Sequence, residues 1–292
     1  MPKYGTTCDN LVSAHVVTVD GRQIEASQSS HPDLFWAIRG GGGNFGVVTA
    51  FEYRLHPVSE ILAGTLIYPS GQISELLQTY VKFTRAVPDE LSASGLVLPS
   101  EKGPGFQILV AYCGQPSVGS DLLRPLRALK PQVDTVQPTT YLEAQRNSWK
   151  PTQYFVANVF LPELGEAAIA AITAATQEAP RRFALLIGNF HGAVTRVPVA
   201  DMAFATREPG YPVDVSANWS APEEKDSAVR WVLALRDKLR PFSHGLYVNS
   251  LSETTDELVR AAYGPNYARL VEIKKKYDPE NVLRLNQNIK PV

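Results

Sequence analysis

Hydrophobic and polar residues alternate along much of the first sixty positions, which is the pattern of β-strands that bury one face. Residues 11–19 and 23–26 alternate on either side of Asp20-Gly21, a dipeptide that favours a tight hairpin turn. A third alternating run covers residues 47–55 and is rich in β-branched and aromatic side chains. These runs predict a small antiparallel meander near the start of the chain.

A short helix is predicted between the second and third runs, over residues 33–39. Pro32 suits the first turn of a helix, and Ser30 is a candidate N-cap. Four consecutive glycines, residues 40–43, follow directly.

Strand and helix patterns then alternate through the rest of the chain. Strand patterns cover 61–68, 91–99, 106–113, 156–161, 183–190 and 213–219. Helical patterns cover 71–86, 117–129, 163–178, 222–240, 256–263 and 267–277. This succession predicts an α+β fold in which an antiparallel sheet is covered by helices on one face. Ser220 is a candidate cap for the helix at 222–240, and the basic run 274–276 is interpreted as a solvated helix face.

The glycine-rich segment from Gly40 to Gly46 is the main candidate for a ligand site. Gly41-x-Gly43-x-x-Gly46 formally matches the dinucleotide fingerprint, but that fingerprint requires a strand before the glycines and a helix after them. Because this sequence has the opposite order, a Rossmann site is excluded. A loop so rich in glycine is costly to order, and we expect it to serve a ligand.

Composition narrows the classes of function. The 292 residues are 44% hydrophobic, and 28 basic residues nearly balance 29 acidic ones. This balance predicts neither nucleic acid nor an anionic membrane as a partner, and no apolar run approaches the roughly 20 residues of a membrane span. The five histidines show no metal-binding spacing. Cys8 and Cys113 lack CxxC spacing, which favours reduced thiols in a cytoplasmic protein.

Two separated stretches carry a family resemblance. Residues 33–49, DLFWAIRGGGGNFGVVT, resemble the closing segment of the flavin domain in berberine-bridge-type FAD oxidoreductases, a branch of the vanillyl-alcohol-oxidase flavoprotein superfamily. The resemblance resumes at Tyr247-Val248-Asn249 and through residues 263–289, in the family's order and near its spacing. It implies FAD as the cofactor.

The resemblance also implies a division of the chain. Residues 1–58 are similar to the C-terminal remnant of a two-part α+β FAD-binding domain, and 59–245 to the substrate domain whose sheet roofs the flavin ring. Residues 246–292 are similar to the segment that packs back on the FAD domain. The family's upstream half, with its flavin-linking His and Cys, has no counterpart here, so the chain is interpreted as a C-terminal portion. Cys8 lies downstream of that attachment position and is interpreted as a packing residue.

Roles for individual residues follow from the same resemblance. The expected cofactor contacts are Gly41, Gly43, Asn44, Gly46, Val48, Asn249 and Asn288. Asn286 and Asn288 match the N-x-N of the family's tail, and capping of a turn is the alternative role for Asn288.

Tyr247, a catalytic candidate, and Asn249 are expected to face one side of a strand beside the flavin ring. Ser250 stands where several relatives have a tyrosine that acts as the base, and a serine hydroxyl would need a base of its own.

The strand pattern at 213–219 contributes candidates for the substrate pocket. Asp214 and Ser216 share its polar face, and Asp214 can serve as a catalytic base if burial raises its pKa. A solvent-facing aspartate on an edge strand is the alternative. The remaining pocket candidates are His191, Ser250, Trp149 and Tyr154. For the histidine a structural role at a strand end is the alternative, and for the aromatic residues a place in the core.

The chemistry implied by the resemblance is the two-electron oxidation of a C–H or C–OH group in a small-molecule substrate, either a sugar or a secondary metabolite. Hydride passes to flavin N5 while a base takes a proton, and O₂ or another acceptor reoxidises the flavin. The alternative is a flavin-free remnant that acts as a ligand-binding or scaffold domain or pairs with a separately encoded half. An unfinished flavin domain would also expose apolar surface and promote self-association.

Overall fold

A computed structural model of the chain describes residues 2–58, 60–146, 153–285 and 287–292. Trp149 and Asn286, which the sequence suggested as candidate site residues, lie outside these ranges. Within them, no helix combines the length and the hydrophobicity needed to cross a lipid bilayer.

The first sheet is the meander that the alternating pattern predicts. Strands β1 (Leu11–Val17), β2 (Gln23–Ser27) and β3 (Val47–Tyr53) pair antiparallel in the order β2-β1-β3. The hairpin between β1 and β2 contains Gly21, whose φ of 81° lies in the left-handed region that favours glycine. The edge strand β3 is exposed along most of its length and leaves apolar side chains such as Phe51 in contact with solvent.

Helix α1 (Pro32–Ile38) forms where the sequence predicts it, but its cap is different. His31 occupies the N-cap position with a φ of 46°, and the Ser30 hydroxyl donates instead to the backbone carbonyl of Glu25 at 3.0 Å. The prediction that Ser30 caps this helix was therefore wrong, because its hydroxyl closes the turn that follows β2.

The second sheet is larger and is also antiparallel. Its strands are β4 (Glu60–Tyr68), β5 (Leu91–Leu98), β6 (Gly105–Tyr112), β7 (Val133–Asp134), β8 (Gln137–Thr140), β9 (Gln153–Leu161), β10 (Phe183–Ile187) and β11 (Tyr211–Trp219). They lie in the order β7-β4-β6-β5-β10-β11-β9, and β8 also pairs with β4. Strand β11 is therefore an interior strand between β10 and β9, which contradicts the alternative of an edge-strand position for Asp214.

Helices cover one face of this sheet, as the strand and helix patterns predict. The helices between β4 and residue 239 are α2 (Ile73–Thr84), α3 (Pro116–Leu122), α4 (Arg124–Arg127), α5 (Tyr141–Gln145), α6 (Glu166–Gln177) and α7 (Lys225–Leu239). Buried side chains of α2, α6 and α7 pack against alternate residues of the strands, such as Val213 and Val215. Burial of each aliphatic side chain contributes about 1.5–3 kcal/mol, so this layer is the main source of stability for the sheet.

Two predicted helices differ from the observed ones at proline residues. The segment 117–129 is divided into α3 and α4, because Pro125 has no N–H group to continue the α-helical hydrogen bonds. The segment 222–240 begins as a 3-10 turn, Pro222–Glu224, before α7. Ser220 does not cap it with its side chain; its backbone N–H donates to the Glu224 carboxylate at 3.0 Å.

The end of the chain returns to the first sheet. Helices α8 (Asp256–Tyr263) and α9 (Tyr267–Tyr277) form as predicted and are joined by a 3-10 turn, Gly264–Asn266. Together with α1 and β1 they enclose a second apolar core that includes Phe45, Leu270 and Ile289. The glycine-rich loop and the C-terminal tail therefore meet over one core.

Candidate functional site

The glycine loop, residues 40–46, is held closely against neighbouring backbone. Gly40 has a φ of 126°, and a Cβ atom there would lie 2.3 Å from the backbone nitrogen of Phe204. The Phe204 N–H donates to the carbonyl of Arg39 at 3.0 Å, so the loop is joined to the segment that follows residue 202. Gly41 and Gly46 also pack against protein atoms, whereas a Cβ at Gly43 would meet no atom within 4 Å. Gly43 is thus the position where a ligand can approach the loop.

Asn44 joins the glycine loop to the C-terminal tail. The residue is buried, and its side-chain amide donates to the carbonyls of Gly41 at 2.8 Å and Gln287 at 3.1 Å. Its side-chain oxygen accepts the N–H of Ile289 at 3.0 Å. These protein contacts occupy the amide, so a direct contact of the Asn44 side chain with a cofactor stays a prediction.

Lys274 packs next to the contact between Asn44 and the tail, and its burial contradicts a prediction from the sequence. The run 274–276 was interpreted as a solvated face, but the Lys274 side chain is fully buried. Its ammonium group donates to the carbonyls of Asn44 at 2.9 Å and Leu283 at 2.6 Å, and to Asp278 Oδ2 at 2.6 Å. Its spacing of three or four residues from Leu270, Val271 and Tyr277 places it on the buried face of α9.

Asp278 completes this buried pair. Burial alone would raise the pKa of its carboxyl, but hydrogen bonds from Lys274 and from the N–H groups of Leu283 and Val282 outweigh burial and hold the pKa below its ordinary value. The carboxylate is therefore ionised, as the Lys274 ammonium requires.

Among the described residues that follow α9, two buried side-chain oxygens accept no hydrogen bond, those of Asn281 and Asn288. A buried acceptor without a donor is costly, so an N–H or O–H group brought to either oxygen would be stabilised there. Val48 is half-buried on β3, where it pairs with Val16 of β1.

Asp214 lies on the second sheet among polar partners. Asn158 is directly opposite on β9 and donates from Nδ2 to Asp214 Oδ1 at 2.6 Å. Burial raises the pKa of the Asp214 carboxyl, and hydrogen bonds from Asn158 and Ser250 reduce this effect without cancelling it. The structure therefore brings Asp214 and Ser250 together and raises the proton affinity of the carboxyl.

Tyr247 and Asn249 precede Ser250 in the same segment, but the prediction of a strand there was wrong. Val248–Ser250 form a 3-10 turn that begins after Tyr247. The two predicted residues still meet, because the Asn249 amide donates to the Tyr247 hydroxyl at 2.9 Å. The Tyr247 N–H donates to Asn158 Oδ1 at 2.8 Å, which joins the turn to the Asp214 strand.

Phe204 and Arg207 connect the site to the first sheet. The Phe204 ring packs edge-on against Tyr247 at 6.1 Å, and the Arg207 guanidinium lies 4.7 Å from the Phe204 ring centre. Arg207 is buried and forms a two-pronged pair with Asp9, at 2.7 and 3.1 Å. Cys8, next to Asp9, has a thiol whose pKa is raised by burial, which agrees with a packing role.

His191 lies apart from this group. Phe190 pairs with Gly210, before the start of β11, so His191 is beyond the end of the strand that carries Asp214. It lines a cavity of about 340 Å³ together with Asn189 and Tyr211. Ser216 is on the Asp214 face of β11 and donates to the carbonyl of Ala184 at 3.0 Å.

The face of the second sheet opposite the helices is called the open face. One row of cross-strand pairs runs over it from β6 to β9, with Asp214 near its end: Gln107, Leu96, Leu186, Asp214 and Asn158. Leu186 is 40% exposed next to Asp214. In the described parts of β5, β6, β10 and β11, the positions that alternate with the buried core include no lysine or arginine. Tyr154 is on the same face of β9 and is also exposed.

Sequence reasoning missed Asn158 and Lys274. Asn158 is 1% exposed in the middle of QYFVANVFL, and an amide within an otherwise apolar strand was the available signal. For Lys274 the available signal was its helical spacing from Leu270, Val271 and Tyr277, which are buried on the same face.

The chain is similar to known proteins in sequence. The family described as "Berberine and berberine like" matches residues 246–290. The uncharacterised FAD-linked oxidoreductase YgaK of Bacillus subtilis is 32% identical, over 99% of this chain and 66% of that protein. The (R)-6-hydroxynicotine oxidase of Paenarthrobacter nicotinovorans is 30% identical, over 99% of this chain and 67% of the oxidase.

Solved structures give the same fold. Wild-type BBE-like 1 of Physcomitrella patens superposes with a TM-score of 0.87 at 20% identity, over 98% of this chain and 66% of that chain. BBE-like #28 of Arabidopsis thaliana superposes with a TM-score of 0.85 at 24% identity, over 99% of this chain and 69% of that one. The chain spans about two thirds of the length of the relatives it matches. On the sequence match to the Paenarthrobacter oxidase and the shared fold, the chain belongs to the berberine-bridge-type FAD-linked oxidoreductases.

Proposed function

We propose that this chain carries the substrate side, and part of the flavin side, of an FAD-dependent oxidoreductase acting on a small organic molecule. The observation that carries the proposal is the half-buried Asp214 carboxyl, with a raised pKa and a hydrogen bond from Ser250, which follows the Tyr247–Asn249 pair in the chain. This is a proton acceptor at the edge of an uncharged surface, as oxidation of a C–OH group requires.

The residues of the loop–tail contact fit FAD. Asn288 offers a buried acceptor without a donor, and Gly43 leaves its backbone open to an approaching group. Asn288 and the loop backbone near Gly43 would hold the flavin, with Gly41 and Gly46 shaping the loop and Val48 and Asn249 as further contacts. When bound, FAD would supply the acceptor for one hydride, which carries both electrons of the oxidation.

Asp214 is assigned the role of base. It would take the proton of the substrate hydroxyl group while the carbon atom that bears this group loses a hydride. The product is then a carbonyl compound. Asn158 orients the carboxylate, and the Ser250 hydroxyl donates to it, so Ser250 supports the base and does not replace it. Tyr247 and Asn249 would position the substrate next to this carboxylate.

The open face favours a mainly apolar substrate. Leu186 and Leu96 precede Asp214 in the cross-strand row, and Asp214 is the charged group there. A surface of this kind suits a ring or hydrocarbon with one hydroxyl or amine group directed at Asp214. An oligosaccharide would need hydrogen bonds along its length, and between Gln107 and Asp214 this row has only Leu96 and Leu186.

We keep the division of the chain into a part of the FAD-binding domain (1–58), a substrate domain (59–245) and a C-terminal segment (246–292). O₂ or another electron acceptor is proposed as a further partner. The two sheets with their separate apolar cores support this division. A flavin-free domain that only binds ligands is the competing function, and the free apolar surface of β3 favours self-association in that case.

A visible absorption titration of the purified chain with FAD tests the proposal. We expect weak, saturable binding that shifts the flavin band near ~450 nm as the chain is added, because the chain carries only part of the flavin side. Asn288→Leu should weaken FAD binding, whereas Asn218→Leu, which removes a similarly buried unpartnered oxygen on the second sheet, should not. A flavin spectrum that does not change as the chain is added would contradict the proposal and favour the flavin-free function.

A further inference from the structure

The glycine loop and the C-terminal tail are joined by a buried cluster, Asn44, Lys274 and Asp278, called the loop–tail clamp here. Asn44 binds the tail through its side chain, and Lys274 binds the Asn44 carbonyl from below. Lys274 also reaches the tail directly, through the carbonyl of Leu283 at 2.6 Å. The loop and the tail are thus connected through both the side chain and the backbone of Asn44.

We propose that Lys274 is a positioning residue that holds the glycine loop and the tail as one unit, and that this unit carries the flavin contacts. The inference rests on the proposed function, because it concerns the same cofactor site. Asn44 lies between Gly43 and Gly46, and its tail partners Gln287 and Ile289 lie on either side of Asn288. A shift of the clamp would therefore move the candidate contacts on both sides.

The ionic character of the clamp supports positioning over general stabilisation. A buried ion pair contributes little net stability compared with apolar residues of similar volume, because both charges lose their hydration. An ammonium group does, however, offer three donors in a fixed arrangement, and Lys274 directs them at three separate segments: the loop, the tail and the end of α9. An apolar side chain would fill this space without fixing the backbone carbonyls.

The test removes the charges together, so that no unpaired charge remains buried. In Lys274→Met/Asp278→Asn, the loop and the tail lose their ionic connection while the volume is nearly conserved. The matched control is Glu272→Gln/Lys275→Met, which removes an exposed ion pair from the same helix. Hydrogen–deuterium exchange is measured first without FAD, and FAD affinity is then measured by titration.

We expect amides of residues 41–46 and 283–289 to exchange faster together in the clamp variant, by about tenfold or more, with the second sheet unchanged. We expect the Kd for FAD to rise by about tenfold or more, because binding must then order both segments. The bound flavin should also lose fine structure in its visible band, as its ring becomes more hydrated. The control variant should match the wild type in all three measurements.

Other outcomes overturn the inference. Faster exchange in the tail alone would show that Lys274 does not couple the segments, and equal acceleration in both sheets would show a general stabilising role. Coupled acceleration with unchanged FAD affinity would separate the clamp from the flavin contacts. If the wild type binds no FAD, the proposed function and the flavin part of this inference both fail, while exchange still decides the coupling. Lys274→Gln, which retains one amide donor group, serves in the same measurements if the double variant does not fold.

Discussion

Asn158 and Asp214 lie opposite each other on β9 and β11, with 2.6 Å between Nδ2 and Oδ1. The oxygen of the same amide accepts the backbone N–H of Tyr247 at 2.8 Å. One buried side chain therefore fixes both the carboxylate and the turn that carries Tyr247 and Ser250. This arrangement makes the protonation of Asp214 sensitive to Asn158.

Asn158→Leu should shift the pH dependence of turnover. Removing the amide donor removes a hydrogen bond to the ionised carboxylate, so the pKa of Asp214 should rise further. Activity that needs the carboxylate should then appear at correspondingly higher pH in a profile of kcat/KM. Ser216→Ala, on the same face of β11 but bonded to the Ala184 carbonyl, should leave the profile unchanged. An unshifted profile in Asn158→Leu would exclude Asp214 as the titrating base.

Asp214→Asn should separate activity from stability. Loss of the base should lower kcat by about 10²–10⁴. Because folding raises the pKa of Asp214, its stabilising contribution is present below the unfolded-state pKa and is lost as pH rises through the folded-state pKa. At neutral pH the ionised carboxyl is therefore a cost, and the neutral asparagine should leave the free energy of unfolding equal or higher. Urea melts at pH 7 measure this, and a clear loss of stability would indicate a structural role for the carboxylate.

The fold could largely be predicted because its signals are local. The alternation in 213–219 and the apolar face of 71–86 arise from burial on one side of a regular element, and the observed β11 and α2 follow them closely. The misplaced boundaries occur where a single group overrides the periodicity. Pro125 removes one backbone donor, and the Ser30 hydroxyl is used by the turn after β2.

The site was less predictable because the residues that form it are distant from one another in the sequence. Asn158, Asp214 and Tyr247 meet only through the pairing of β9 with β11 and the return of the chain beside β9. Lys274 has the helical spacing of a buried position, but only the three-dimensional structure identifies the Asn44 carbonyl that accepts its hydrogen bond. The polar face that contains Asp214 was visible in the sequence, but the cause of its raised pKa was not.

Removing one partner of the buried Arg207–Asp9 pair should lower the free energy of unfolding. Arg207→Met would leave the Asp9 carboxylate buried without its cation, which typically costs about 3–5 kcal/mol. Urea denaturation followed by tryptophan fluorescence measures this loss. Arg196→Met breaks the exposed pair with Asp89 instead and should have little effect, because solvent already screens that pair. Equal effects of the two substitutions would mean that Arg207 contributes no more than a surface charge.

Leu186→Gln should weaken binding of an apolar substrate. Leu186 lies next to Asp214 in the cross-strand row, and its side chain is 40% exposed on the open face. Loss of that apolar contact should raise KM by about 5- to 30-fold, corresponding to about 1–2 kcal/mol, with a smaller change in kcat. Leu109→Gln is the matched control, since Leu109 is 39% exposed on β6, separated from β11 by β5 and β10.

Saturation-transfer NMR with an alkylphenol and with a chitooligosaccharide measures binding directly. Preferential binding of the oligosaccharide by the wild type, with no effect of Leu186→Gln, would contradict an apolar substrate on this face.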